Sequence, residues 1–191
     1  MEVQSMDYLL DESAKNNLSL GQIVLREEVR ETGASAESIL EKLSRTWRVM
    51  KEAASAGIAT DLKSVSGLTG GDAARYYNHI RNRKNLLGGM EAKAVAYALA
   101  TSGYNAAMGV IAAAPTAGSA GILPGVLLAA QEEYGFQDRD ALDALLTAGG
   151  VGAVTAARAS ISGAAGGCQA ECGTAAAMAA AALCDVMGGS A

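Results

Sequence analysis

The sequence predicts an all-α protein, a compact Ala/Gly-rich helical domain, on three observations. Half of its 191 residues are hydrophobic yet only 4% are aromatic, so alanine carries much of the apolar content beside leucine, valine, isoleucine and methionine. Alanine has the best helix propensity and little side-chain volume, which favours closely packed helices. Only two prolines interrupt the chain, and the 23 glycines fall mostly at segment ends or where helices can touch. Strands are expected to be absent or marginal.

Residues 2–32 carry short amphipathic pieces, with Leu9, Leu10, Leu18, Ile23, Val24 and Val29 set among charges. The next segment is clearer, because Leu40, Leu43, Trp47, Met50 and Ala54 recur at helical steps and build one apolar stripe. Ser35 is placed to cap that helix and Gly57 to end it. Trp47 on the stripe reads as core. The run Ser64–Asp72 is small, polar and Gly-rich, and it leads into a helical stretch with Asp72 as its expected cap.

A long helix is expected over residues 91–113, ended by Pro115 through its effect on Ala114. Val126–Tyr134 and Asp138–Gly149 read as further helices, and Gly150–Ile161 as a region of close helix contact. Gly163–Gly167 breaks the chain again, and Thr174–Met187 reads as a final Ala-rich helix. The whole, residues 1–191, is expected to be a single helical domain with a more polar part, 1–103, and a buried apolar part, 104–191. Charge supports that division. Residues 1–103 hold 13 basic and 13 acidic side chains, whereas 104–191 hold only Arg139 and Arg158 against seven acids.

The net charge of −5 and the lack of a basic stripe argue against nucleic acid. No charged residue stands between Ala94 and Gln131, which raises the question of a membrane. Asn105, Pro115, Thr116, Pro124 and several glycines break that run, and no basic flank follows it, so a soluble core is the better reading. Met1–Asp11 lacks the build of a signal peptide. An odd set of three cysteines then belongs in a reducing compartment, and a cytoplasmic protein is expected.

Two loops can hold a ligand. In Ser64–Asp72, backbone N–H groups at a helix start can bind an anion and glycine lets it come close, although an ordinary loop and cap accounts for the same residues. No Lys-Ser/Thr follows the glycines, so it is no Walker-type phosphate loop. In Ala114–Gly125, Thr116, Ser119 and glycine N–H groups offer donors in an apolar setting. A ligand can satisfy them, and so can the loop's own backbone and water.

The single histidine, His79, lies in a polar run and reads as solvated, which leaves no histidine cluster for zinc. No Gly-x-Ser-x-Gly elbow is present. Cys168 and Cys172 share a face if they are helical, but they lack both the two-residue zinc spacing and a four-cysteine set. Cys184, in Ala-rich sequence, reads as a packing residue.

In order along the chain, Ser66-Gly67-Leu68-Thr69-Gly70-Gly71-Asp72, Asn105-Ala106-Ala107-Met108-Gly109, Ala114-Pro115-Thr116-Ala117-Gly118, Gly121-Ile122-Leu123-Pro124 and Gly167-Cys168-Gln169-Ala170-Glu171 stand as a set. This set resembles the α chain, or catalytic domain, of iron–sulfur-dependent L-serine dehydratase. The resemblance implies a lyase that dehydrates L-serine to pyruvate and ammonia with a [4Fe–4S] cluster as Lewis acid and without pyridoxal phosphate. Cys168 matches the first cluster cysteine, and the family's other two lie beyond residue 191. The chain is therefore expected to be an incomplete fragment, truncated at its C-terminus.

Ser66, Thr69, Gly70, Asn105, Thr116, Gly118 and Ser119 are the expected substrate-binding residues, holding the carboxylate, and no general base is identified. Many relatives have cysteine where this chain has Ser119. A separate β subunit and a homo-oligomer are the expected partners. Two other readings are a related cysteine desulfidase, and a non-enzymatic helical fragment that binds a small carboxylate or a partner chain.

Overall fold

The computed structural model describes residues 5–59 and 62–190. Nine α-helices are found among them: α1 (Met6–Asn16), α2 (Leu20–Thr32), α3 (Ala36–Gly57), α4 (Asp72–Asn82), α5 (Gly89–Ala106), α6 (Ile122–Tyr134), α7 (Asp138–Arg158), α8 (Gly163–Gly166) and α9 (Cys168–Val186). A short 3₁₀ turn spans Ala117–Ser119. The only extended pairing among the described residues is an isolated bridge between Lys63 and Gly70. The protein is all-α, as its composition predicts.

Two compact units divide the chain. One comprises Met1–Arg45 with Phe136–Ala191, and the other Thr46–Gly135. In the first, α7 packs against α2 and α9. Leu9, Ile23, Val24, Leu146 and Val154 form its core, with Leu18, Leu40 and Leu43 packed against them. Burying such a side chain contributes about 1.5–3 kcal/mol. Glu27 is also buried here, and its carboxylate is bracketed by the guanidinium groups of Arg26 at 3.4 Å and Arg30 at 2.7 Å. A buried carboxylate persists when it is paired in this way.

In the second unit α5 packs against α4 and α6, and Ala54, Tyr97 and Ala129 form a core cluster. Trp47 is buried as expected. Side chains here are small because the backbones nearly touch. A methyl group at Gly57 would fall 1.9 Å from the carbonyl oxygen of Ala100, and one at Gly121 2.3 Å from that of Ala98.

Ser35 does cap α3, its hydroxyl accepting the Ser38 N–H at 3.2 Å, and Gly57 is the last residue of that helix. Other boundaries differ from the sequence reading, each for a local reason. Helix α5 ends at Ala106 and does not run to residue 113. Met108 enters the left-handed region at φ 63°, the Gly109 N–H bonds the Tyr104 carbonyl at 2.8 Å, and the Met108 N–H bonds the Asn105 carbonyl at 2.9 Å. These two bonds make a Schellman stop, so Pro115 is not what ends the helix.

Helix α6 starts before Val126 because Pro124 sits in its first turn, where no intrahelical N–H bond is required. Helix α7 runs unbroken through Gly149 and Gly150, since tertiary contacts outweigh the low propensity of glycine. Helix α9 begins at Cys168 rather than Thr174, directly after Gly167 at φ 76°. Asp72 is the first helical residue of α4 rather than its cap, and its carboxylate pairs with Arg75. No helix among the described residues is long and apolar enough to cross a membrane.

Gly57→Ala is expected to destabilise the protein by about 1–3 kcal/mol, because the new methyl meets backbone and no flexible side chain can yield. Chemical denaturation followed by far-UV circular dichroism measures this. An unchanged midpoint would show that α3 and α5 can part at no cost.

Candidate functional site

The C-terminus of α5 organises the second unit's two Gly-rich loops. Asn105 donates its side-chain amide N–H to the Ala117 carbonyl at 3.3 Å. The next residue, Ala106, accepts the Val65 N–H on its carbonyl at 3.1 Å. Consecutive residues of one helix end thus hold the segment 64–70 and the turn 116–119. The helix can do this because its Schellman stop leaves the last turn intact while the chain leaves in a new direction.

The segment 64–70 closes on itself. Ser64 donates its N–H to the Thr69 carbonyl at 2.9 Å, and its hydroxyl accepts the Thr69 N–H at 3.2 Å. The Ser64 and Ser66 hydroxyls share a hydrogen at 3.1 Å. Gly70 adopts φ 153° and runs so near the opposite limb that a methyl group there would sit 2.4 Å from the Leu62 carbonyl oxygen. Only glycine fits. Ser66 and Thr69 are exposed.

In the other loop Ser119 is buried and Thr116 half-buried, and their hydroxyls lie 3.2 Å apart. The peptide bond before Pro115 is cis. The Ser119 N–H bonds the Thr116 carbonyl at 3.3 Å, closing the 3₁₀ turn around the exposed Gly118. The first N–H groups of such a turn have no acceptor within it.

The other predicted ligand stands in the first unit. Cys168 is exposed at the first position of α9, and no side chain caps that helix start. Its Sγ lies 3.6 Å from that of Cys172. The contact with Cys168, together with burial, pushes the Cys172 thiol above its ordinary range. Among the described residues no group of three or more His, Cys, Asp or Glu side chains could hold a metal ion. Cys168, Cys172 and Cys184 therefore do not make a three-cysteine ligand set.

Cys184 is not the packing residue that its Ala-rich context suggests. It is exposed, and it borders a cavity of about 630 Å³ with Ser13, Asn17, Thr147, Asp185 and Ser190. Thr147 donates its hydroxyl to the Asp185 carboxylate there at 2.7 Å. His79 is exposed on α4, as its polar neighbours predict.

A polar cluster in the second unit escaped the sequence reading. The buried Tyr97 donates its hydroxyl to Glu132, and Lys93 pairs with the same carboxylate at 2.9 Å. The ring of Tyr77 lies 6.0 Å from that of Tyr97. Burial first, then the bond to Glu132, raises the Tyr97 hydroxyl well above its ordinary value of 10.0. The bond to Glu132 also raises Lys93. Tyr97 and Glu132 lie 35 residues apart and meet only through the packing of α5 on α6, so no local signal marks the pair.

A family model described as serine dehydratase alpha chain matches residues 15–191. A Bacillus subtilis (strain 168) protein named probable L-serine dehydratase, alpha chain, is 41% identical over 181 residues, which are 95% of this chain and 60% of that relative. The L-serine dehydratase, alpha chain, of Peptoniphilus asaccharolyticus is 40% identical over 185 residues, 95% of this chain and 62% of the relative. An L-serine dehydratase of Streptomyces coelicolor is 35% identical over 189 residues, 96% of this chain and 40% of that protein. The chain thus spans about three-fifths of the length of these two alpha-chain relatives. No solved structure matches it.

The Tyr97–Glu132–Lys93 cluster gives the protein an alkaline limit. Tyr97 and Lys93 both hold their protons more tightly when folded, so their contribution is full below the unfolded values and is lost as pH rises through the folded ones. Unfolding free energy is expected to fall as pH rises above 10.0, the ordinary tyrosine value. Tyr97→Phe should cost about 1 kcal/mol at neutral pH and flatten that slope, leaving the part due to Lys93. Urea titrations across the alkaline range measure both, and an identical slope in the variant would remove Tyr97 from the account.

Proposed function

Since the chain belongs to the serine dehydratase alpha chain family, we propose that it is the alpha-chain part of an L-serine dehydratase, a lyase that converts L-serine to pyruvate and ammonia. The reading extends to this chain the activity that its relatives' names state. A separate β chain is its proposed partner, because those names describe an alpha chain. Self-association and a cytoplasmic location belong to the same proposal.

The observation that carries the site assignment is the pairing of both Gly-rich loops with Asn105 and Ala106. A carboxylate needs several donors converging from fixed positions. The proposed donors are the hydroxyls of Thr116 and Ser119, the N–H groups at the start of the 3₁₀ turn beside Gly118, and the Ser66–Gly70 loop with Thr69. Asn105 keeps the turn in place, and the burial of Ser119 strengthens the hydrogen bonds that its hydroxyl makes.

A [4Fe–4S] cluster is the proposed cofactor, with Cys168 as one thiolate ligand and its remaining ligands outside these residues. When bound, such a cluster supplies a Lewis acid that makes the serine hydroxyl a better leaving group. Pyridoxal phosphate has no part in this scheme. The work of the chain itself is to hold the substrate carboxylate and to present the Cys168 thiolate.

L-Serine binding to this chain, measured by isothermal titration calorimetry, tests the loop assignment. Thr116→Val and Ser119→Ala are each expected to weaken it about tenfold, the loss of one hydrogen bond to a charged group. Circular dichroism checks that the variants fold. No L-serine binding by the folded parent chain, or equal binding by both variants, would overturn the assignment. In an alpha chain that extends far enough to supply the remaining ligands, Cys168→Ala should leave L-serine binding intact and abolish serine-dependent pyruvate after anaerobic reconstitution with iron, sulfide and the β chain.

A further inference from the structure

We propose that Cys168 and Cys172 form a two-thiolate chelating site for a soft divalent ion of the zinc group. The site is separate from the cluster reading except that both use Cys168, and one thiolate cannot serve both at once. The pair is preformed. Two thiolates that share a tetrahedral zinc ion at about 2.3 Å each stand about 3.8 Å apart, and these Sγ atoms already lie 3.6 Å apart.

Helix geometry selects chelation over a disulfide. Side chains four residues apart hold their Cβ atoms about 5–6 Å apart, whereas a disulfide needs about 3.8 Å. Closing a disulfide would unwind the first turn of α9, but an ion set between the sulfurs leaves that turn intact. Cys168 is exposed and Cys172 half-buried, so an ion can reach both.

Binding releases both thiol protons and leaves each sulfur a thiolate donor, with water completing the tetrahedron. Occupancy by such an ion withholds Cys168 from a cluster. Zinc-group ions in excess are therefore antagonists of cluster assembly on this chain.

Cadmium chloride is the probe, titrated anaerobically into the reduced 191-residue chain and followed by thiolate-to-cadmium charge-transfer absorbance in the ultraviolet. One ion per chain is expected, with the absorbance of two thiolates. Competition with a chelator of known affinity should show Cys172→Ala, and equally Cys172→Ser, roughly a hundredfold or more weaker. Cys184→Ala should match the parent chain. Parent-like affinity in both Cys172 variants, a one-thiolate band, or loss of binding in Cys184→Ala would overturn the proposal. Because the readout is cadmium absorbance, its failure is distinct from failure of the dehydratase reading, which appears in iron content and pyruvate.

Discussion

Helix α5 is held at backbone contact by its neighbours, and the second unit takes its shape from that constraint. Gly57 brings α3 against the Ala100 carbonyl, and Gly121 brings the start of α6 against Ala98. Contacts this close leave a helix little room to slide, because any shift drives backbone into backbone. The position of the α5 C-terminus is thereby fixed, and both Gly-rich loops inherit it. Alanine and glycine serve here as what lets main chains meet.

The polar groups of this unit follow the same logic at two depths. Near the α5 end they are short side chains, Ser64, Ser66, Asn105, Thr116 and Ser119, bonded to backbone and to one another. Further from that end, Tyr97 and Lys93 converge on Glu132 and tie α5 to α6. The first group is open enough at Ser66, Thr69 and Gly118 to meet a solute, and the second is a structural tie. The thiols belong to the other unit, with Cys168 at the start of α9 and Cys172 beside it. The proposed carboxylate donors and the cysteine pair thus stand in different compact units.

Much of this protein is legible in its sequence. The all-α class follows from alanine content and scarce proline, and the apolar stripe from Leu40 to Ala54 with its Ser35 cap follows from periodicity and one hydroxyl. Family membership follows from short motifs in a fixed order, since a motif is a local property. The candidate loops were recognisable for the same reason, as glycine, proline and small hydroxyl residues mark departures from helix wherever they fall.

Tertiary structure decided what depends on residues distant in sequence or on backbone angles that a residue's identity does not fix. Met108 takes the left-handed conformation usually left to glycine, so α5 ends earlier than its proline suggests. Gly149 and Gly150 stay helical because packing outweighs propensity. Cys172 becomes the neighbour of Cys168 only because α9 starts six residues before its Ala-rich run, and Tyr97 finds Glu132 only across a helix pair. Local sequence sets the menu of conformations, and the energy of long-range contacts, summed over the whole unit, makes the choice.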